Sequence, residues 1–269
     1  MQTDWEGMVL LQRSMVCVHY CLRSPETRFR LVNLPGDYLA EMGAGCYPYQ
    51  LKAAYVVWYW GITHCFRSIM GRRIYLVRHG QAAYANTEPK DIHGYLTDLG
   101  QQQARLTAQR LSQLPISIIH HSDLHRACQT AELIGSKLPN AVLQSSPLLR
   151  ECIPCLPARP APWMTEVPPE TIAEHERRVE KVFQHYFTES VTESVTESVN
   201  AERHEIIVCH GNLIRYLACR AMRISPESWA NLDNHNCGIS EVLINEGAQT
   251  ILVSHNDTGH LPYSMRTFL

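Results

Sequence analysis

From Ile74 onward the chain alternates short apolar runs rich in strand-forming residues with longer stretches whose apolar side chains recur at helical spacing. That alternation is the strongest constraint on the fold, because strands separated by helix-length segments build a mainly parallel sheet covered on both faces. Strands are predicted over residues 74–77, 116–121, 205–209, 240–244 and 250–254, with 142–145 as a short edge strand. Helices are predicted over 98–114, 124–138, 170–187 and 213–222, the first capped by Thr97. Residues 152–169 carry many prolines and Trp163, and read as a long ordered loop rather than a helix.

In such sheets ligands bind beyond the carboxyl ends of the strands. His79 and His210 each lie just past the end of a predicted strand, in Arg78-His79-Gly80 and His210-Gly211-Asn212. A neutral imidazole nitrogen attacks phosphorus well when the other ring nitrogen gives its proton to a fixed acceptor. Arg78 offers a planar fork matched to phosphate oxygens. Alone, this tripeptide is weak evidence and is better read as a structural histidine at a strand end. Arg126 at a predicted helix start, His210 after a third strand and Glu151 at the mouth of the proline-rich loop add the remaining groups of a phosphoryl-transfer site with no metal or cofactor. His121 reads as a structural or rim residue, and Trp163 as either a wall of the substrate site or a core anchor.

A length of 269 residues suits one domain, at 74–269, behind an N-terminal extension at 1–73. The net charge of -2 gives no electrostatic reason to expect nucleic acid as a partner. Ten cysteines at irregular spacing, with no secretory signal, read as reduced thiols, and the lone Cys152-x-x-Cys155 lacks a second ligand pair. Residues 53–66 form an aromatic, apolar run flanked by arginines, shorter than a spanning helix but compatible with contact at a membrane surface. Asp4 and Glu6 speak against a cleavable presequence, and a chain starting at Met70 would hold the whole downstream unit. Thr-Glu-Ser-Val, repeated from residues 188, 192 and 196, reads as a flexible surface loop at 188–200.

Together, Arg78-His79-Gly80-Gln81, Leu96-Thr97-Asp98-Leu99-Gly100 with Gln103-Ala104, Ser122 to Arg126 with Thr130-Ala131, Glu151, and His210-Gly211-Asn212 resemble the histidine phosphatase superfamily, the phosphoglycerate-mutase-like proteins. The resemblance implies a three-layer α/β/α sandwich with nucleophile His79, phosphate ligands Arg78, Arg126 and His210, and proton donor Glu151. Residues 148–151 before the proline-rich loop, 208–221, and Asp257-Thr258-Gly259 are similar to the branch called phosphoglycerate mutase family member five. That branch implies a serine/threonine protein phosphatase with phosphoprotein substrates, at the mitochondrion and its outer membrane; the cytoplasm is the alternative. A homo-oligomer and membrane association through the extension are compatible with it. A small-molecule phosphatase or mutase with the same site, or a noncatalytic adaptor, stays open.

Overall fold

The computed structural model describes residues 9–11, 14–16, 71–84, 92–188, 202–245 and 248–268. Residues 17–70, with the apolar run at 53–66, and residues 189–201, with most of the repeat, lie outside the described residues. The chain separates into two units, Met1–Trp60 and Gly61–Leu269. In the first, β1 (Val9–Leu11) pairs antiparallel with β2 (Ser14–Val16).

The second unit holds β3 (Arg72–Arg78), the two-residue strands β4 (Ala82–Ala83) and β5 (Tyr95–Leu96), α1 (Asp98–Leu111), β6 (Ile116–Ser122), α2 (His125–Gly135) and β7 (Val142–Ser146). It continues with α3 (Pro169–Phe183), β8 (Arg203–Cys209), α4 (Gly211–Ala221), β9 (Ile239–Ile244) and β10 (Thr250–Asp257). Six strands form one sheet in the order β10-β9-β3-β8-β6-β7. β3, β8, β6 and β7 are mutually parallel; β9 runs antiparallel to β3, and β10 antiparallel to β9, so β9 alone opposes the other five strands.

Successive side chains of a strand point to opposite faces, and β3 uses both. Ile74 and Leu76 enter a core with Val179, Val182 and Phe183 of α3 and Leu213, Ile214 and Leu217 of α4. Tyr75 and Val77 enter a second core with Ala108 and Leu111 of α1 and Ala127, Ala131 and Ile134 of α2. The expected α/β/α sandwich with a mainly parallel sheet is therefore the fold. No helix among the described residues is long and apolar enough to cross a membrane.

Several boundaries differ from the sequence expectation. β3 begins at Arg72, earlier than predicted, because both leading arginines find carboxylates: Arg72 lies 3.2 Å from Glu205 and Arg73 2.8 Å from Glu202. α1 stops at Leu111, before the predicted 114, since the residue ahead of Pro115 is pushed out of helical geometry. α3 begins on Pro169, a favoured first-turn residue, and after Phe183 widens into a π-turn over Gln184–Thr188 that buries Tyr186 and Phe187. The proline-rich loop includes one short 3-10 turn, Pro162–Glu166, where Trp163 is 53% exposed and so is not a core anchor. That role belongs to Trp229, which is buried, donates to the Cys155 carbonyl at 2.9 Å and packs under Arg215.

Candidate active site

Parallel pairing sets Arg78 opposite Cys209, so the residues that follow, His79 and His210, leave the sheet side by side. The His79 amide donates to the Cys209 carbonyl at 3.0 Å, and the two imidazoles lie 5.2 Å apart, tilted by 59°. Both are buried.

Glycine is required immediately after His79. A Cβ on Gly80 would lie 2.5 Å from the Gly100 carbonyl oxygen, and one on Gly100 would lie 2.0 Å from that of Gln81. The first turn of α1 thus rests directly on the backbone beyond His79. Thr97 caps that turn at 3.0 Å from the Gly100 amide, as expected, and its hydroxyl also donates to the Gln81 side chain at 2.7 Å.

The protonation of the His79 ring follows from its neighbours. Nε2 faces the Arg126 Nε at 3.1 Å, and a guanidinium has only donors, so Nε2 accepts. Nδ1 carries the proton and donates to the Gly80 carbonyl at 2.8 Å. Burial, then Arg126 and Arg78, hold the imidazole well below its usual range, in the neutral form.

Arg126 is in the first turn of α2 and is itself buried. Its Nη1 donates to the carbonyls of Ile92 and His93, each at 2.7 Å, and its guanidinium lies 5.4 Å from the centre of the Tyr84 ring. Arg78 donates to the carbonyls of Asn234 and Phe268 and lies against Gly211, where a Cβ would come within 3.4 Å of its Nε. His210 is held neutral by burial and then by His79, Arg126 and Arg78. Both of its ring nitrogens, and the Arg78 Nε, are buried with no hydrogen-bond partner among the described residues. Buried groups of this kind ordinarily are bonded; the neutral imidazole offers one donor and one acceptor, and the guanidinium nitrogen a further donor.

Glu151 follows the short 3-10 turn Pro147–Leu149. Burial raises its carboxyl, against the Cys152 amide that donates to it at 3.0 Å and the positive charges of Arg78 and Arg126. Arg178 of α3 holds this turn, donating to the carbonyls of Leu148, Arg150 and Glu151 at 2.9, 2.7 and 3.0 Å. Asn212 ties it to α4 by donating to the Cys152 carbonyl at 2.8 Å. Arg150 turns away to a bidentate pair with Asp123.

The five groups singled out in the sequence, Arg78, His79, Arg126, Glu151 and His210, therefore converge. Arg178 and Asn236, whose side chain donates to the His79 carbonyl at 3.0 Å, escaped sequence reasoning, and neither stands in a motif that signals its contact. His121 is buried and spends Nδ1 on the Ser122 carbonyl at 2.9 Å. Cys152 and Cys155 are free thiols, both raised by burial.

Residues 74–258 match the histidine phosphatase superfamily (branch 1). A protein named mitochondrial serine/threonine-protein phosphatase PGAM5 from Xenopus tropicalis is 35% identical over 194 residues, covering 71% of this chain and 66% of that protein. The human protein of that name is 34% identical over 195 residues, covering 71% and 64%. The chain thus spans just under two thirds of the length of these relatives. Among solved structures, mycobacterial glucosyl-3-phosphoglycerate phosphatase has the same fold, with a TM-score of 0.51 at 20% identity over 70% of this chain and 100% of that one.

Proposed function

This chain belongs to the histidine phosphatase superfamily, and from that premise we propose that it is a phosphatase acting on phosphoserine and phosphothreonine in proteins through a phosphohistidine on His79. The observation that carries this reading is the fixed tautomer of His79, with Nδ1–H committed to the Gly80 carbonyl and the Nε2 lone pair directed at the Arg126 Nε. A lone pair already turned toward a cation is turned toward the place that a phosphoryl group takes when its oxygens bind that cation.

The reaction is a double displacement. Nε2 of His79 forms a bond to phosphorus while the bond from phosphorus to the serine or threonine oxygen breaks, and protonated Glu151 gives its proton to that oxygen. Water then attacks the phosphohistidine, Glu151 takes a proton from it, and His79 leaves neutral. Arg78, Arg126 and His210 hold the phosphoryl oxygens throughout, so most of the catalysis is position and charge. The buried environment that raises the Glu151 carboxyl favours the protonated form that the first step needs.

Protein substrates, rather than sugar phosphates, are proposed because relatives 35% and 34% identical to this chain over the matched 194 and 195 residues carry the name of a serine/threonine-protein phosphatase. The same names motivate a mitochondrial location, which imaging of the tagged full chain tests. Turnover of a phosphoserine peptide is to be compared with that of 3-phosphoglycerate, with His79→Ala as control. A strong preference for 3-phosphoglycerate moves the protein to the small-molecule class, and full activity of His79→Ala removes the nucleophile. Acid-labile phosphohistidine accumulating in Glu151→Ala is the expected intermediate.

A further inference from the structure

The geometry points to Thr267 as a positioning residue for the nucleophile, acting through Gln103 and Asn236 on the two peptide planes that flank Gly80. This rests on His79 as nucleophile. Nothing in the motifs of the chain marks Thr267, which is 188 positions from His79 in the sequence.

A peptide unit is planar, so holding one end orients the other. The carbonyl that takes the His79 Nδ1 proton belongs to the unit whose N–H is that of Gln81, and that N–H donates to Gln103 Oε1 at 2.8 Å. The preceding unit is held at both ends as well. Its carbonyl, that of His79, accepts from Asn236 Nδ2 at 3.0 Å, and its N–H, that of Gly80, donates to the Thr130 hydroxyl at 3.1 Å.

Gln103 and Asn236 are fully buried, and what orients them is the segment around Thr267. Gln103 Nε2 donates to the Met265 carbonyl at 2.6 Å and to the Thr267 hydroxyl at 2.9 Å. Because Asn236 Nδ2 faces a carbonyl, its Oδ1 is the atom facing Thr267, and the hydroxyl donates to it at 2.9 Å. The Asn236 amide in turn donates to the Thr267 carbonyl at 2.7 Å. The hydroxyl therefore accepts from one amide and donates to the other, and only a group that does both keeps the two side chains facing the loop. Serine meets that requirement. Valine, with the same shape, meets neither half, and leaves two buried amides short of a partner.

The test uses the full chain with p-nitrophenyl phosphate as substrate and nitrogen-15 histidine labelling, the His79 ring signals being assigned by their loss in His79→Ala. Expected for Thr267→Val is a fall in kcat of about tenfold, with KM changed less than kcat, and a His79 spectrum that passes from a single Nδ1–H tautomer to a mixture. Thr267→Ser should restore both. Gln103→Glu, which still accepts from Gln81 but cannot donate to Met265 and Thr267, should reproduce the valine variant and stands in for it if that variant does not fold. If the folded variants keep the wild-type tautomer, or lose kcat only in proportion to the folded fraction, the positioning role is wrong. Failure of the catalytic reading looks different: His79→Ala would turn over the aryl phosphate as fast as wild type, while the tautomer spectrum would still report on the brace.

Discussion

Arg126 and His79 are in direct contact, Nε to Nε2 at 3.1 Å, and the same guanidinium reaches past the imidazole to the carbonyls of Ile92 and His93. One side chain thus touches the nitrogen proposed as the nucleophile and anchors the loop beyond it. A lysine has a single donor centre and cannot do both.

Arg126→Lys and Arg126→Ala should each lower kcat, the alanine variant by about 100- to 1,000-fold, the range seen when one preorganised donor to a developing anion is removed. Steady-state kinetics on a phosphoserine peptide measures it. A lysine variant within a few-fold of wild type would show that the fork geometry is unimportant.

The pH dependence of kcat/KM should have two limbs. The proposed mechanism needs neutral His79, which is lost as pH falls through a value held below the usual histidine range by burial. That mechanism also needs protonated Glu151, which is lost as pH rises through a value that burial holds above the usual carboxylate range. Glu151→Gln should remove the alkaline limb. It should also slow phosphoserine hydrolysis by about 100-fold or more, and slow p-nitrophenyl phosphate, whose leaving group needs no proton, by much less. Equal losses on both substrates would take the proton-donor role away from Glu151.

Arg178 supports the turn that carries Glu151 through three carbonyls. Hydrogen bonds from a charged donor contribute about 1.5–3 kcal/mol in favourable cases, so Arg178→Ala should cost about 2 kcal/mol in urea denaturation and also lower kcat. Destabilisation with an unchanged kcat per folded molecule would mean that the turn keeps Glu151 in place without it.

Acid should destabilise the fold starting near the ordinary histidine range. Burial lowers His120 to about 4, with Arg72, His185 and His121 adding to the effect, and it also depresses His79 and His210. Between those folded values and the unfolded histidine value the unfolded chain binds more protons, so stability is full above about pH 6.5 and is lost as pH falls. His120 alone should contribute about 1–2 kcal/mol of that loss by pH 5. Urea midpoints from pH 7 to pH 5 should fall steeply for wild type and less so for His120→Gln.

The layered α/β architecture and the five convergent groups were legible in the sequence because both follow from local pattern. Strand runs, helical spacing and the Thr97 cap are properties of short windows, and strand ends in a parallel sheet necessarily gather on one edge. β4 and β5 left no such trace, being two residues each and defined by pairing with one another. Trp163 and Trp229 show the same limit, since indole hydrophobicity is equal in both and only the packing decided which is buried.

The sequence by itself determined that an imidazole would stand at the end of a buried strand beside an arginine, because apolar runs and the turns that end them are written in consecutive residues. Only the tertiary structure decided which nitrogen of that imidazole carries the proton, which backbone carbonyl holds it, and that Arg178, Asn236 and Thr267 keep the surrounding turns in place. Those decisions are hydrogen bonds between residues far apart along the chain. Their partners are mostly backbone groups common to every residue, so position in space, and not residue identity, selects them.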